Sequence, residues 1–255
     1  MGVSRREVSG SPVHAHPPSG RAATRHRPSH IRSIREYAGA MSTHLQSTLF
    51  GSTEEIGLRP LTAIRRTVLG EGAWIDLLPG WLTGADALFD HLLTAVPWRA
   101  EQRPMYERVV DVPRLLAHYP RGAELPHPVL EQARSALSGH YAAELGEPFT
   151  TAGLCYYRDG RDSVAWHGDR NGRGGTGDTM VAIVSVGEPR SLLLRPRPAP
   201  GGGAGGAATV RQSLGHGDLL VMGGSCQRTW EHAVPKTARP TGPRISVQFR
   251  CRGVS

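Results

Sequence analysis

The chain has 255 residues, of which 38% are hydrophobic, and carries a formal net charge of +8. This composition suffices for one ordinary domain with a core and extensions, while the absence of a run of roughly 18 apolar residues and of a secretory signal predicts a cytoplasmic protein with no membrane span. Three cysteines, Cys155, Cys226 and Cys251, form neither a Cys-x-x-Cys pair nor an even framework, which favours reduced thiols over a disulfide scaffold or a zinc site.

Residues 1–40 carry most of the positive charge. They hold seven arginines against Glu7 and Glu36, a net +5, so the remaining chain carries only +3. Prolines stand among Ser, His and Arg without periodicity, which is typical of a disordered basic tail. A mistaken upstream start, with Met41 as the true one, would also explain this composition. A nucleic-acid-binding arm is the functional alternative.

Residues 41–72 are predicted to be an N-terminal extension with little periodicity. The segment Gln46-Ser47-Thr48-Leu49-Phe50 is similar to the Gln-x-x-Leu-Phe peptides with which bacterial replication and repair proteins bind the sliding clamp. So short a motif favours the alternative that Leu49 and Phe50 simply pack on the core. The clamp, bound through Gln46, Leu49 and Phe50, is therefore a minor predicted partner.

The folded domain is predicted to span residues 73–252. Its first elements are a strand over Ala73 to Leu78 and a core-facing helix over Gly84 to Val96. An irregular segment over residues 97–106 follows, in which two aromatic and two cationic side chains are mixed. That mixture suits stacking on a base together with contact to phosphate. A surface loop with one tucked tryptophan is an equally good interpretation.

A second helix is predicted over Pro128 to Leu145, ended by Gly146-Glu147-Pro148. The pattern then changes to short runs separated by Gly, Pro and Asp turns, which predicts strands over residues 149–157, 179–186, 191–195, 208–213, 218–222, 229–233 and 244–250. Helices followed by this series of strands indicate an α+β, mainly β fold. A jelly roll braced by helices is the natural candidate.

A His-x-Asp pair stands within the strand-rich region. His167 and Asp169 are two residues apart, so on extended chain both side chains leave the same face and can bind one metal ion. A third ligand must come from elsewhere, and His232 is the only histidine after the turn at Gly217. Two histidines and one carboxylate with open positions form the facial triad of non-haem Fe(II) oxygenases. The sequence therefore predicts an Fe(II) site at His167, Asp169 and His232.

Arg244 begins the strand that follows His232. A dicarboxylate co-substrate that supplies electrons for O2 activation needs a fixed cation for its far carboxylate, and a guanidinium fork suits that task. The alternative, a plain edge-strand arginine, does not account for the order of the motifs along the chain.

His216-Gly217-Asp218 is a second His-x-Asp and a rival for the metal site. A turn that enters the apolar strand Leu219 to Met222 explains its glycine and aspartate locally. Asp218 also lies close to His232 in the chain. We therefore predict a structural turn here and not a pair of metal ligands.

These motifs together resemble the AlkB family of 2-oxoglutarate- and Fe(II)-dependent dealkylating dioxygenases. The resemblance covers about Ala73 to Arg252 and rests on five segments, which are Thr151 to Asp169, Val184 to Arg190, His216 to Gly224, Gln227 to His232 and Arg244-x-x-x-x-Phe249-Arg250. It implies a double-stranded β-helix, or jelly roll, with N-terminal helices and a nucleotide-recognition lid. That fold agrees with the predicted order of helices and strands.

The resemblance also implies roles and a reaction. Iron would bind to the predicted triad, Arg244 would pair with the far carboxylate of 2-oxoglutarate, Tyr157 would hydrogen-bond the co-substrate, and Arg250 would support the same pocket. With O2, the co-substrate is decarboxylated to succinate, an N-alkyl group is hydroxylated, and a methyl group leaves as formaldehyde. The damaged base is flipped out of the stack, and Trp98 or Tyr106 in the lid would hold it.

The chain departs from the family pattern at several positions. Cys155, Ser246 and Gln248 stand where relatives usually have Asn, Asn and Thr, which alters part of the predicted co-substrate pocket. Arg170 and Asn171 follow the metal-binding aspartate, where many relatives have an acidic residue. A cation there would repel a positively charged methylated base but could equally contact phosphate. The predicted substrate-contacting residues are Trp98, Arg103, Tyr106, Arg170 and Asn171.

We therefore expect a dioxygenase that uses Fe(II), 2-oxoglutarate and O2 to repair alkylated bases in DNA or RNA. The altered pocket leaves two alternatives open. One is a metal-binding or nucleic-acid-binding module without turnover, and the other is the same chemistry on a protein or a small molecule.

Overall fold

Strands make up most of the fold in the computed structural model, which describes residues 54–105, 108–170, 173–198 and 208–254. In these ranges the strands are β1 (Gly57–Leu58), β2 (Arg65–Gly70), β3 (Ala73–Leu78), β4 (Leu82–Thr83), β5 (Arg99–Met105), β6 (Arg108–Tyr119), β7 (Thr151–Tyr157), β8 (Val164–His167), β9 (Val181–Gly187), β10 (Arg190–Pro196), β11 (Val210–Leu214), β12 (Asp218–Gly224), β13 (Trp230–Val234) and β14 (Arg244–Arg250). The α-helices are α1 (Ala85–Ala95), α2 (Pro128–His140), α3 (Ala142–Leu145) and α4 (Cys226–Thr229). The predictions for residues 1–40, for the clamp-like segment, and for Tyr106 and Asn171 lie outside the described residues.

Two antiparallel sheets form the core of the domain. One has eight strands in the order β2-β3-β12-β9-β14-β7-β6-β5, and the other has four in the order β11-β10-β13-β8. The central strand β9 is buried along residues 181–186, and α1 packs on it. Side chains from both sheets line one cavity, so the sheets face each other across it. The predicted mainly β, jelly-roll architecture is confirmed.

Most predicted elements occur close to their expected bounds. Strands β3 and β14 match them, and α1 begins after Gly84 and ends before Val96. Two strands were not predicted ahead of Ala73, where β1 pairs with β4 and β2 pairs with β3. Because β2 lies at a sheet edge and is largely exposed, its sequence lacks the alternation that marks a half-buried strand.

The prediction of an irregular segment over residues 97–106 is wrong, because β5 occupies Arg99–Met105. Strands β5 and β6 form an antiparallel hairpin, and β6 pairs with β7, so the hairpin extends the eight-stranded sheet. The beginning of β5, at residues 99–102, is exposed. A strand without a buried face shows no apolar alternation, and here pairing with a neighbouring strand supplies the order.

The predicted helix over residues 128–145 is interrupted at Tyr141. The backbone there leaves helical angles, with φ −96° and ψ 10°, and separates α2 from α3. The Tyr141 ring is fully buried and its hydroxyl donates to Asp76 Oδ2 (2.8 Å), while Arg66 donates to both oxygens of that carboxylate (2.8 Å each).

No helix in the described part of the chain is long and apolar enough to cross a membrane.

Replacing Tyr141 with phenylalanine is expected to lower the free energy of unfolding by about 2 kcal/mol, because a buried hydrogen bond to a charged group is lost. Urea unfolding followed by circular dichroism measures the difference. Tyr119→Phe, at a half-exposed tyrosine on β6, is the matched control and should change stability by less than about 0.5 kcal/mol. Equal stability of the two variants would contradict the assigned role of the Tyr141 hydroxyl.

Candidate metal and co-substrate site

His167 and His232 lie opposite each other on neighbouring strands of the four-stranded sheet. They are register partners on the antiparallel pair β8 and β13, and their ring centroids are 4.2 Å apart. Asp169 follows two residues after the end of β8, and its Oδ1 lies 3.7 Å from His167 Nε2. One ligand atom from each of the three residues lies within 4.8 Å of the others. This spacing allows all three side chains to bind one ion.

Asp169 is held from two sides. Its backbone N–H donates to Gln227 Oε1 (2.9 Å), and its Oδ2 accepts from Arg250 Nε (2.7 Å). Burial alone would raise the pKa of this carboxyl, but the charge of Arg250 and the neighbouring imidazoles of His232 and His167 lower it below its usual range. The side chain is therefore an ionised ligand, and Oδ1 faces the histidines.

The two imidazoles are prepared for coordination in different ways. His167 Nδ1 donates to the Ala165 carbonyl oxygen (2.9 Å), which leaves the lone pair of Nε2 directed at the metal site. Burial, together with the nearby His167, lowers the pKa of His232 to about 3. His232 is thus neutral near pH 7, as a metal ligand must be. Two imidazoles and a carboxylate fit Fe(II).

The far end of the site is built around Arg244. Its side chain is 2% exposed, and its Nε donates to Ser185 Oγ (2.8 Å). Among the described residues, Arg244 Nη1 is buried without a hydrogen-bond partner. Leaving a buried donor unpaired costs roughly 1–3 kcal/mol, and more when it is charged. A carboxylate oxygen is the group that would satisfy it, so this end fits a dicarboxylate co-substrate.

Tyr157 lies between two buried arginines. The guanidinium carbons of Arg244 and Arg190 lie 5.3 and 5.6 Å from the centre of its ring. Burial raises the pKa of Tyr157 to about 12, so the phenol keeps its proton and can donate a hydrogen bond. The cations and the phenol together favour an anion at this end.

One cavity of about 1170 Å³ joins the two ends of the site. All nine residues predicted for the metal and the co-substrate line it, namely Cys155, Tyr157, His167, Asp169, His232, Arg244, Ser246, Gln248 and Arg250. The cavity continues to the hairpin, where Val112 and Arg114 of β6 line its wall. The structure therefore brings together side chains that come from both sheets.

The residues predicted to contact substrate are more dispersed. Trp98 is half-buried outside the cavity lining; its indole N–H donates to the Leu92 carbonyl (3.2 Å) and its ring packs on Tyr156, with centroids 5.4 Å apart. Trp98 therefore has the tucked position of the alternative interpretation, because its indole N–H is hydrogen-bonded and its ring is packed within the domain. Arg170 is exposed beside Asp169, and Arg103 lies on β5.

Several supporting residues were not predicted. Gln227 and Ser185 hold Asp169 and Arg244 directly. Arg190 is buried and donates to the carbonyl oxygens of Asp159 (3.0 Å), Asp162 (2.8 Å) and Pro235 (2.8 Å), which ties two loops together. No periodicity or spacing marks such contacts, since each one joins residues that are distant in the chain.

The rival motif is a turn, as predicted. His216 Nδ1 accepts from the backbone N–H of Gly187 (2.8 Å), and Asp218 accepts from the backbone N–H groups of Gly80 (2.9 Å) and Gly215 (2.7 Å). Gly217 has φ +79°, and a Cβ there would lie 2.5 Å from the Leu82 carbonyl oxygen. These contacts explain the motif without a metal.

The sequence is similar to a known protein family and to several named proteins. Residues 75–250 match the family described as the 2OG-Fe(II) oxygenase superfamily. Alpha-ketoglutarate-dependent dioxygenase alkB homolog 3 of Bos taurus is 32% identical over 212 residues, 77% of this chain and 69% of that protein. The Homo sapiens protein of the same name is 30% identical over the same shares. DNA oxidative demethylase ALKBH2 of Homo sapiens is 32% identical over 124 residues, 48% of this chain and 46% of that protein.

Proposed function

The chain belongs to the 2OG-Fe(II) oxygenase superfamily, and from this premise we propose that it oxidatively removes alkyl groups from bases of DNA or RNA. The enzyme class, the resemblance to AlkB proteins, and the use of Fe(II) with 2-oxoglutarate and O2 are confirmed. The nucleic-acid substrate is the proposed part.

The similarity to the alkB homologues carries the proposal. It extends over 77% of the chain for homolog 3, and the shorter match is to a protein named as a DNA oxidative demethylase. Two features of this chain support it. The chain carries a net charge of +8, of which +3 lies beyond residue 40, and a positive charge attracts a polyanion. The exposed Arg170 beside Asp169 is suited to contact a phosphate next to the flipped base.

The site residues divide the work between metal and co-substrate. His167, Asp169 and His232 would hold Fe(II), while Arg244 and Tyr157 would bind the far carboxylate of 2-oxoglutarate. When bound, Fe(II) and 2-oxoglutarate would supply the oxidation of an N-alkyl C–H bond by O2, and 2-oxoglutarate would be converted to succinate and CO2. Arg250 and Gln227 keep Asp169 in place, and the Ala165 carbonyl keeps His167 Nε2 directed at the metal. Burial keeps the phenol of Tyr157 protonated as a donor.

A panel of oligonucleotides, each with one defined N-alkyl lesion, tests the substrate. Single-stranded and double-stranded DNA and RNA are incubated with Fe(II), 2-oxoglutarate and the protein, and formaldehyde release and repaired base are measured. We expect stoichiometric formaldehyde and succinate for at least one methyl lesion, and no formaldehyde from the unmodified strand.

Two results would count against nucleic-acid dealkylation. Binding of the oligonucleotides without turnover of any lesion would favour a binding module. Turnover of 2-oxoglutarate only with a methylated protein or small molecule would move the same chemistry to another substrate class. The His167→Ala protein serves as the control for iron-independent release.

A further inference from the structure

A line of hydrogen bonds crosses the cavity wall from β7 to the metal site. Ser246, Gln248 and Arg250 alternate along β14, so they share one face, and Cys155 is the register partner of Ser246 on β7. Gln248 Nε2 lies 3.3 Å from Ser246 Oγ and 3.4 Å from Cys155 Sγ. Arg250 Nη2 donates to Gln248 Oε1 (2.7 Å), and Arg250 Nε donates to Asp169 Oδ2 (2.7 Å).

The chemistry of the partners fixes the orientation of the Gln248 amide. A guanidinium group only donates hydrogen bonds, so the amide oxygen must face Arg250. The amide NH2 must then face the hydroxyl of Ser246 and the thiol of Cys155, both of which can accept. Gln248 is therefore held in one position by contacts on both ends of its amide.

Arg250 depends on that position. Its side chain is long and 16% exposed, and without a partner for Nη2 the guanidinium would be held only by the bond from Nε to Asp169. The acceptor on Gln248 orients the plane so that Nε points at Asp169. Gly153, the register partner of Gln248 on β7, leaves room for this arrangement, since a Cβ there would lie 3.0 Å from Arg250 Nη1.

We propose that Gln248 is a positioning residue for the metal site and acts on Asp169 through Arg250. Gln248 orients the guanidinium of Arg250, and that guanidinium binds Oδ2 of Asp169. Oδ1 of Asp169 is then left on the side of the two histidines. Loss of a direct hydrogen-bond partner of a metal ligand, as Arg250 is for Asp169, typically costs roughly 10–100-fold in metal affinity, and because Gln248 acts one contact further out we expect an effect at the lower end of that range. The inference concerns the metal site alone and does not depend on which substrate is dealkylated.

The test is the affinity of the metal-free protein for Mn(II), followed through the electron paramagnetic resonance signal of the free ion. Gln248→Met fills similar space but removes the acceptor for Arg250, and we expect its dissociation constant to rise about tenfold. Gln248→Glu keeps an oxygen that accepts from Arg250, loses the two donated hydrogen bonds and adds a negative charge beside the guanidinium. We expect it to bind Mn(II) within about threefold of the wild type.

Gln132→Met, at an exposed position on α2, is the matched control and should leave Mn(II) affinity unchanged. Wild-type affinity in Gln248→Met would overturn the proposal. So would a loss in Gln248→Glu as large as that in Gln248→Met, because the donated hydrogen bonds would then be the ones that matter. If Gln248→Met does not fold, Gln248→Asn, whose amide is one methylene too short to reach Arg250, provides the same comparison. The experiment uses neither 2-oxoglutarate nor nucleic acid, so its outcome is separate from that of the lesion panel.

Discussion

We expect replacement of His167 with alanine to abolish turnover of 2-oxoglutarate and to leave the domain folded. The substitution removes one of three metal ligands, so metal affinity should fall by more than the roughly 100-fold that loss of an outer hydrogen bond can cause. The His167 side chain is 38% exposed at the end of β8, and its removal opens no core cavity. The free energy of unfolding should therefore change by less than about 1 kcal/mol. Succinate formation, Mn(II) binding and thermal unfolding measure the three effects.

His216→Ala is the matched control, because His216 belongs to the other His-x-Asp motif. It loses a hydrogen bond from Gly187 and a contact between its Nε2 and Asp86 Oδ1 (3.1 Å). Turnover should persist in this variant, with some loss of stability. The opposite pattern, activity in His167→Ala and none in His216→Ala, would move the iron site to the second motif.

Arg244→Lys is expected to raise the KM for 2-oxoglutarate by about 10–100-fold, with Mn(II) affinity unchanged. Lysine keeps the positive charge, but its single ammonium group cannot both replace the hydrogen bond from Arg244 Nε to Ser185 and donate two parallel hydrogen bonds to a carboxylate. Loss of a charge-assisted hydrogen bond costs about 1.5–3 kcal/mol, and each 1.4 kcal/mol corresponds to a factor of ten. Succinate production against co-substrate concentration gives the KM.

Arg239→Lys, at an exposed position between β13 and β14, controls for the exchange itself and should leave the KM unchanged. An unchanged KM in Arg244→Lys would show that the unpaired Nη1 of Arg244 does not face the co-substrate. A parallel loss of Mn(II) affinity would instead show that this arginine supports the metal site.

The metal ligands could be predicted because their signal is local. A spacing of two residues on extended chain directs His167 and Asp169 to one side, and few histidines compete for the third position. Arg244 was found by its place on the next strand. The contacts of Trp98 were not predictable in the same way. One aromatic residue in an exposed segment is equally compatible with stacking on a nucleic-acid base and with packing inside the domain. In the structure the indole N–H of Trp98 is bonded to the Leu92 carbonyl, which is the tucked arrangement, and a contact between Trp98 and substrate stays a prediction.

The sequence by itself predicted the mainly β fold, seven of the eight strands after Pro128, and the three metal ligands with Arg244, while the other pocket residues came from the family resemblance. Apolar periodicity, turn residues and ligand spacing carry that information. Only the tertiary structure decided that the β5–β6 hairpin extends the large sheet, that Gln227 and Arg250 grip Asp169, and that Gln248 reaches Arg250. Those contacts depend on the register between strands far apart in the chain, which local patterns leave undetermined.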